Sequence, residues 1–371
     1  MIILAMQIIT VTENPNVAGN LISALKNSPD YQIAANYKDA STALGQSRIF
    51  KPNLFLMDVD EIENINLISS FKALYPNAEV LGLLETWDSK TSYFCLKAGA
   101  IGCVLKNFSV EEMQKSLELY KLRGQSKPAR IIPFFSPKGR AGRTTVAAIL
   151  SLMLAKKTGE RVALIDADLQ FGDMPIFFDI EPDNTIIDAI KDVGLLTPMN
   201  FESYFYKINP KVSLLSSPTR PEYAELVSSE SLVDVVRMTC TLFRYVLIDL
   251  PVGFNPISIS MCDLAGTSFV LAMLNNNFDI VHMRRALEMF KTYRHDSKKI
   301  YTCFTRVNPC TEEERLKLQR ELGYPLNNIL PNEYQTITLA NKGKIGKCLP
   351  EDTLLMEKLD KIVDDIISGR L

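Results

Sequence analysis

A short basic loop with two glycines, set between an apolar run and a helical run, limits what this chain can fold into more than any other feature. Arg130-Ile131-Ile132-Pro133-Phe134-Phe135 is the apolar run, Ser136-Pro137-Lys138-Gly139-Arg140-Ala141-Gly142-Arg143-Thr144-Thr145 the loop, and Val146-Ala147-Ala148-Ile149-Leu150 opens the helical period. The order predicts a strand, a tight turn and a helix. Such a turn aims several backbone N–H groups and the positive end of the helix at one point, which is what a phosphate group needs. The ordinary phosphate-loop pattern G-x-x-x-x-G-K-[ST] would place glycine at Pro137 and lysine at Arg143. Only Gly142 and Thr144 fit that pattern as written.

Three further segments strengthen the reading. Residues 161–170 form an apolar run ending in Asp166-Ala167-Asp168, and residues 243–251 form another ending in Asp249-Leu250-Pro251. The third is Ile329-Leu330-Pro331-Asn332-Glu333, followed by Ala340-Asn341-Lys342-Gly343. Together with the loop they resemble the MinD/ParA superfamily of ATPases, whose deviant phosphate loop reads K-G-G-x-G-K-T-T. On that pattern Lys138 is the opening lysine, Gly139 follows it, Arg140 replaces the second glycine and Arg143 replaces the phosphate-loop lysine. Gly142, Thr144 and Thr145 are kept. The resemblance spans most of residues 130–350.

The resemblance implies a site for ATP and Mg²⁺. The N–H groups of Gly139, Arg140, Ala141, Gly142, Arg143, Thr144 and Thr145 would cradle the β- and γ-phosphates. Thr144 would ligate the metal, Asp249 would hold a metal-bound water, and Asp166 would tune the metal shell. Asp168 resembles the water-positioning carboxylate, so Asp168, Lys138 and Arg143 are the residues expected to act in catalysis. Arginine at 143 brings a planar fork where a point charge is usual, which keeps phosphate binding and weakens hydrolysis. In the superfamily the opening lysine reaches the nucleotide of a second subunit, implying a homodimer that meets through the nucleotide face. The base pocket would draw on Thr305 and Arg306, where the superfamily has Asn-Arg, and on Pro331, Asn332 and Glu333.

Composition sets wide bounds. A chain of 371 residues, 47% hydrophobic and 23% charged, has the profile of a folded protein of about two or three domains. Its net charge of −2 gives no overall field toward nucleic acid or anionic lipid. Seven cysteines without a C-x-x-C pair suit free thiols in a reducing cytoplasm. No run reaches the ~18 apolar residues of a membrane span, so no transmembrane segment is expected. The apolar start at residues 1–11 lacks the flanks of a signal peptide and reads as a first strand. His282 and His295 have no metal-ligating partner nearby in sequence and are taken as non-catalytic.

A polar break at residues 121–128, with Gly124 and Pro128, divides the chain into expected domains 1–125 and 126–371. Before the break, strands at 6–11, 54–58, 80–84 and 103–105 alternate with helical periods at 17–25, 68–74, 91–98 and 110–122. The alternation predicts an α/β chain with two doubly wound parallel-sheet domains, the first flavodoxin-like. Residues 52–60 and 97–107 of that first domain resemble two hallmark segments of two-component receiver domains. The resemblance implies Asp58 as phosphoacceptor and Lys106 as the lysine beside it. Receivers hold Mg²⁺ with two adjacent acids after the first strand, and here Thr12-Glu13 supplies one, Glu13. Two readings stay open: a phosphorylatable domain, and a receiver fold kept for docking or dimerisation.

Two basic or amphipathic helices need weighing. Arg284, Arg285, Lys291, Arg294, Lys298 and Lys299 could face DNA, yet Met283, Leu287 and Phe290 mark the same helix as amphipathic with a solvated back. The helix at 354–367 balances Lys358 and Lys361 against Glu357, Asp360, Asp364 and Asp365, which suits packing in a domain better than lying on a membrane. A receiver-like domain ahead of a MinD/ParA-type domain with an eroded loop resembles the TadZ/CpaE family of localisation factors for tight-adherence (Flp, type IVb) pili. That resemblance implies an ATP-binding, dimerising cytoplasmic protein, polar or held near the membrane through its partners, that recruits pilus and secretion assembly proteins and reads no specific nucleic-acid sequence. The alternatives are a ParA-like DNA-partitioning ATPase and a response regulator with an ATPase output domain.

Overall fold

The computed structural model describes residues 5–26, 30–122, 128–193, 198–293, 299–308, 310–349 and 352–370. Most of the expected break, residues 123–127, lies outside them, as do His295, Arg294 and Lys298. By internal contacts the chain forms two compact units. One comprises Met1–Ala129 with Asp192–Ser203 and Asp234–Arg244; the other comprises Arg130–Lys191, Tyr204–Val233 and Tyr245–Leu371.

Among its described residues the first unit has five parallel strands: β1 (Met6–Val11), β2 (Tyr31–Tyr37), β3 (Leu54–Asp58), β4 (Glu79–Leu84) and β5 (Gly102–Leu105). Their order, β2-β1-β3-β4-β5, is the flavodoxin-like one and places the ends of β1 and β3 side by side at the switch of winding direction. Successive side chains leave a strand on opposite faces. Ile9, Phe55 and Met57 therefore join Phe71 and Tyr75 in one core, while Ile8, Leu54 and Leu56 join Leu21 and Met113 in the other. β2 and the helix Ala40–Gln46 went unseen in the sequence. As an edge strand β2 is only partly buried, and Tyr-Gln-Ile-Ala-Ala-Asn-Tyr carries neither an apolar run nor a clean alternation.

Among its described residues the second unit holds eight strands: β6 (Arg130–Phe135), β7 (Val162–Asp166), β8 (Tyr206–Lys207), β9 (Val212–Leu215), β10 (Tyr245–Asp249), β11 (Thr267–Met273), β12 (Lys299–Val307) and β13 (Asn328–Pro331). The order is β13-β12-β11-β6-β10-β7-β9-β8, parallel except for the terminal β8–β9 pair. Central β7 and β10 are buried at every position, which is why they read as unbroken apolar runs. The expected α/β class, with two doubly wound and predominantly parallel sheets, is the observed one.

The helix Arg143–Thr158 buries Val146, Ile149, Leu150 and Leu154 against this sheet. The C-terminal helix Leu354–Ser368 turns Leu355, Leu359, Ile362, Val363 and Ile366 inward and packs beside it, so its amphipathic face is spent on the core. On the basic helix Asn277–Tyr293, Met283, Leu287 and Phe290 are buried, and the Arg284 guanidinium donates to the carbonyls of Glu321 and Leu322. Arg284 thus satisfies the C-terminal carbonyls of a neighbouring helix. Among the described residues no helix is long and apolar enough to cross a membrane.

Candidate functional site

Three parallel strands, β6, β10 and β7, lie side by side and end together. Asp249 is in register with Asp166 on β7 and with Phe134 on β6, so two carboxylates arrive beside the loop that leaves β6. The loop then enters the helix through Gly142, whose φ of 76° lies in the left-handed region. Arg140 has φ 65°, also left-handed, at the position where the superfamily pattern has glycine. A β-carbon there costs roughly 1 kcal/mol of strain. Ser136 Oγ donates to the Lys138 carbonyl at 2.7 Å, and Thr305 Oγ1 donates to the Ala141 carbonyl at 2.8 Å. Thr305 therefore braces the loop from the end of β12.

Under the loop, Thr144 Oγ1 donates to Asp249 Oδ2 at 2.6 Å. The Arg143 guanidinium is buried between two acids, with Nη2 3.4 Å from Asp168 Oδ2 and Nε 3.6 Å from Asp249 Oδ1. Arg143 Nη1 and Asp249 Oδ1 are buried without a hydrogen-bond partner. Asp166 is fully buried; it accepts from Asp168 N at 3.3 Å, and from Met174 N and Ser217 Oγ at 3.2 Å each. Its carboxylate is thus committed to shaping the 168–174 turn that carries Asp168. Burial first, then Asp249, pushes the Asp166 carboxyl well above the usual carboxylate range. Burial also pushes Asp249 up to about 6, against the pull of Arg143 and the Thr144 hydroxyl.

The Asp249 shift has a testable sign. A folded-state pKa of about 6 against the ordinary 3.8 means that the neutral carboxyl is favoured in the folded protein. Its stabilisation is complete below the unfolded value and is lost as pH rises through the folded one. With Asp166 shifted the same way, the nucleotide-free protein is expected to melt at a higher temperature at pH 5 than at pH 7.5, and Asp249→Asn should flatten the profile. Parallel melting profiles for parent and variant would remove Asp249 as the cause.

The exposed Lys138 and Arg140 side chains stand at the loop's outer edge. Gly139 is exposed, Ala141 is buried, and Thr145 is half-buried in the first helical turn. Arg306 follows Thr305 in a left-handed conformation with φ 57°, and Val307 is in register with Pro331. The residues expected at the base pocket thus lie at the ends of adjacent strands. Asn332 is exposed, and the Glu333 carboxylate caps the helix Tyr334–Asn341 through Gln335 N and Thr336 N. Beside Asp168 opens a cleft of about 820 Å³, lined by Leu169, Phe171, Val252 and Ile257 among others.

In the first unit, Lys106 Nζ lies 2.7 Å from Asp58 Oδ2 and 2.6 Å from Asp60 Oδ2. Asp58 and Lys106 therefore meet as expected. Glu13 is exposed, and the buried Thr12 hydroxyl is 3.3 Å from Asp58 Oδ2. Residues that the sequence did not single out are Gly172, Ser217 and Asp60. A glycine six residues beyond Asp166 in a bulky run was a usable signal for the first. Ser217 pairs with Asp166 across 51 residues, which no local pattern reveals.

Comparison with known proteins finds likenesses over this part of the chain. The model of the CobQ/CobB/MinD/ParA nucleotide binding domain matches residues 132–345. Septum site-determining protein MinD of Thermotoga maritima is 32% identical over 225 residues, covering 57% of this chain and 79% of that protein. Among solved structures, a ParA family ATPase from Chlorobium tepidum superposes with a TM-score of 0.57 at 16% identity, over 64% of this chain and 98% of that one. MinD of Pyrococcus horikoshii, solved with Mg-ADP, superposes with a TM-score of 0.54 at 20% identity, over 66% of this chain and 99% of that one. At such identities the superpositions speak for the fold.

Proposed function

The chain belongs to the CobQ/CobB/MinD/ParA nucleotide-binding family, and from that premise we propose that it is an ATP-binding, slowly hydrolysing switch that dimerises on nucleotide and localises tight-adherence pilus assembly. One observation carries the nucleotide reading: Arg143, Thr144, Asp168 and Asp249 converge beneath the loop that enters the helix through left-handed Gly142. A site of this shape suits a polyphosphate better than any other anion, because the cradle and the acids together match a phosphate chain with its metal.

Mg²⁺ fits the residues present. Among the described residues no cluster of three or more acids, histidines or cysteines holds a metal alone, and Mg²⁺ is commonly shared between one or two protein oxygens and substrate phosphates. Thr144 Oγ1 would ligate it, and the unpartnered Asp249 Oδ1 would face its hydration shell. When bound, the metal neutralises charge on the terminal phosphates. Asp168 would orient the attacking water, while Asp166 holds the turn that carries Asp168 in place. Lys138 would serve the partner subunit's nucleotide.

For the first unit we take the docking reading. Lys106 is paired with Asp58 and Asp60, and Thr12 stands where receivers place an acid. The pilus role rests on the resemblance of the two-unit chain to the TadZ/CpaE family, and recruitment of secretion and pilus assembly proteins would follow from it. The DNA-partitioning alternative draws little support from the basic helix, whose Arg284 is engaged within the fold.

Titration with ATP and Mg²⁺ is expected to saturate, with turnover well below one per second, and Arg143→Lys is expected to raise turnover by about tenfold or more. An empty loop at millimolar ATP would refute the nucleotide reading. A brisk wild-type rate, or one unmoved by the lysine, would show that Arg143 does not limit hydrolysis. Salt-dependent binding to random duplex DNA would favour the partitioning alternative instead.

A further inference from the structure

Arg143 sits where the cation of this site would have to act. Its side chain is 9% exposed, and it faces Asp168 Oδ2 at 3.4 Å and Asp249 Oδ1 at 3.6 Å. Tight charge-assisted hydrogen bonds run at about 2.7–2.9 Å. The guanidinium is therefore held by charge and enclosure, with no fork closed on either acid, and Nη1 keeps its protons unpaired in a buried place. A buried donor left unpaired is costly until an acceptor arrives. Asp249 Oδ1, the acceptor that would face a metal's water, lies 3.6 Å from the Arg143 Nε.

A lysine at this position would concentrate its charge at one flexible tip and could move wholly to the phosphates. Arginine's fork is wide enough to serve two sides at once. Asp168 and Asp249 face Arg143, and without that cation the two acids would stand beside a polyphosphate with nothing to offset them. We propose that Arg143 is a resident cation that neutralises Asp168 and Asp249 while offering Nη1 to the phosphates, so that nucleotide binds without Mg²⁺ and the metal must compete with Arg143 for Asp249. Nucleotide capture is thereby separated from metal uptake, and the metal step becomes the weak one. The inference rests on the nucleotide reading above and adds an order of events to it.

The test is the affinity for a fluorescent ATP analogue in EDTA and in millimolar Mg²⁺, for the full chain and for Arg143→Lys. Wild-type affinity should change by less than about threefold between the two conditions, whereas the lysine variant should lose about tenfold or more in EDTA, its carboxylates being left unbalanced. Mn²⁺ uptake by the nucleotide-loaded protein, read by electron paramagnetic resonance, should tighten in the variant; because the wild-type arm stands alone, a variant that fails to fold leaves the test intact. Wild-type binding seen in Mg²⁺ and lost in EDTA would overturn the resident cation. Absence of binding under both conditions would sink the nucleotide reading itself.

Discussion

A Gly172→Ala protein is expected to lose about 2–4 kcal/mol of unfolding free energy, a large effect for one methyl group. The chain at Gly172 passes so close to Asp166 that an added β-carbon would lie 2.3 Å from Oδ2 and 2.2 Å from Ser217 Oγ. Neither atom can step aside cheaply. Ser217 Oγ and Met174 N both donate to Asp166 Oδ2, and Asp166 is fully buried. Clearing the methyl group would strand at least one buried donor, at about 1–3 kcal/mol. The damage should reach function too, because Asp166 accepts from Asp168 N and so fixes the carboxylate that faces Arg143. Chemical denaturation of parent and variant measures the first effect and nucleotide titration the second. An unchanged midpoint would mean that the 168–174 turn relaxes freely and that Asp166 does not hold it.

This close approach also marks where sequence reasoning stops. The loop, Asp168 and Asp249 were legible because each sits in or just after a buried strand whose apolar run is unmistakable, and parallel strands end in register. The first sheet's central strands were legible for the same reason. β2 was not, since an edge strand needs little apolar surface and can carry Gln32 and Asn36. Thr305 shows a different limit. Its residue type was visible as a departure from Asn, but its bond to the Ala141 carbonyl depends on β12 ending beside the loop. Thr12 likewise is an ordinary residue in sequence, and its place against Asp58 follows from β1 and β3 being neighbours. Adjacent-strand geometry supplied what spacing along the chain could not.

Lys138→Ala is expected to leave ATP affinity nearly unchanged while weakening ATP-dependent self-association by about tenfold or more. The contrast with Arg143 is the reason. Arg143 is buried and already faces both acids of its own site, so the loop's internal need for a cation is met. Lys138 is exposed, its backbone carbonyl is pinned by Ser136, and among the described residues its ammonium has no ion pair. A fixed backbone with a free charged tip is suited to reaching outward. Paired with a phosphate of a second subunit's nucleotide in a closed interface, that ammonium would make a charge-assisted bond worth more than a surface ion pair. Apolar surface is present at the cleft next to Asp168, where Phe171 is 74% exposed and Val252 44% exposed. Burial of such side chains would supply association energy, and the lysine would make it conditional on ATP. Sedimentation of parent and variant, with and without ATP, separates these contributions. A variant dimer of unchanged ATP-dependent affinity would place the subunit contact elsewhere and remove Lys138 from the switch; loss of ATP binding in the variant would return the lysine to its own subunit's phosphates.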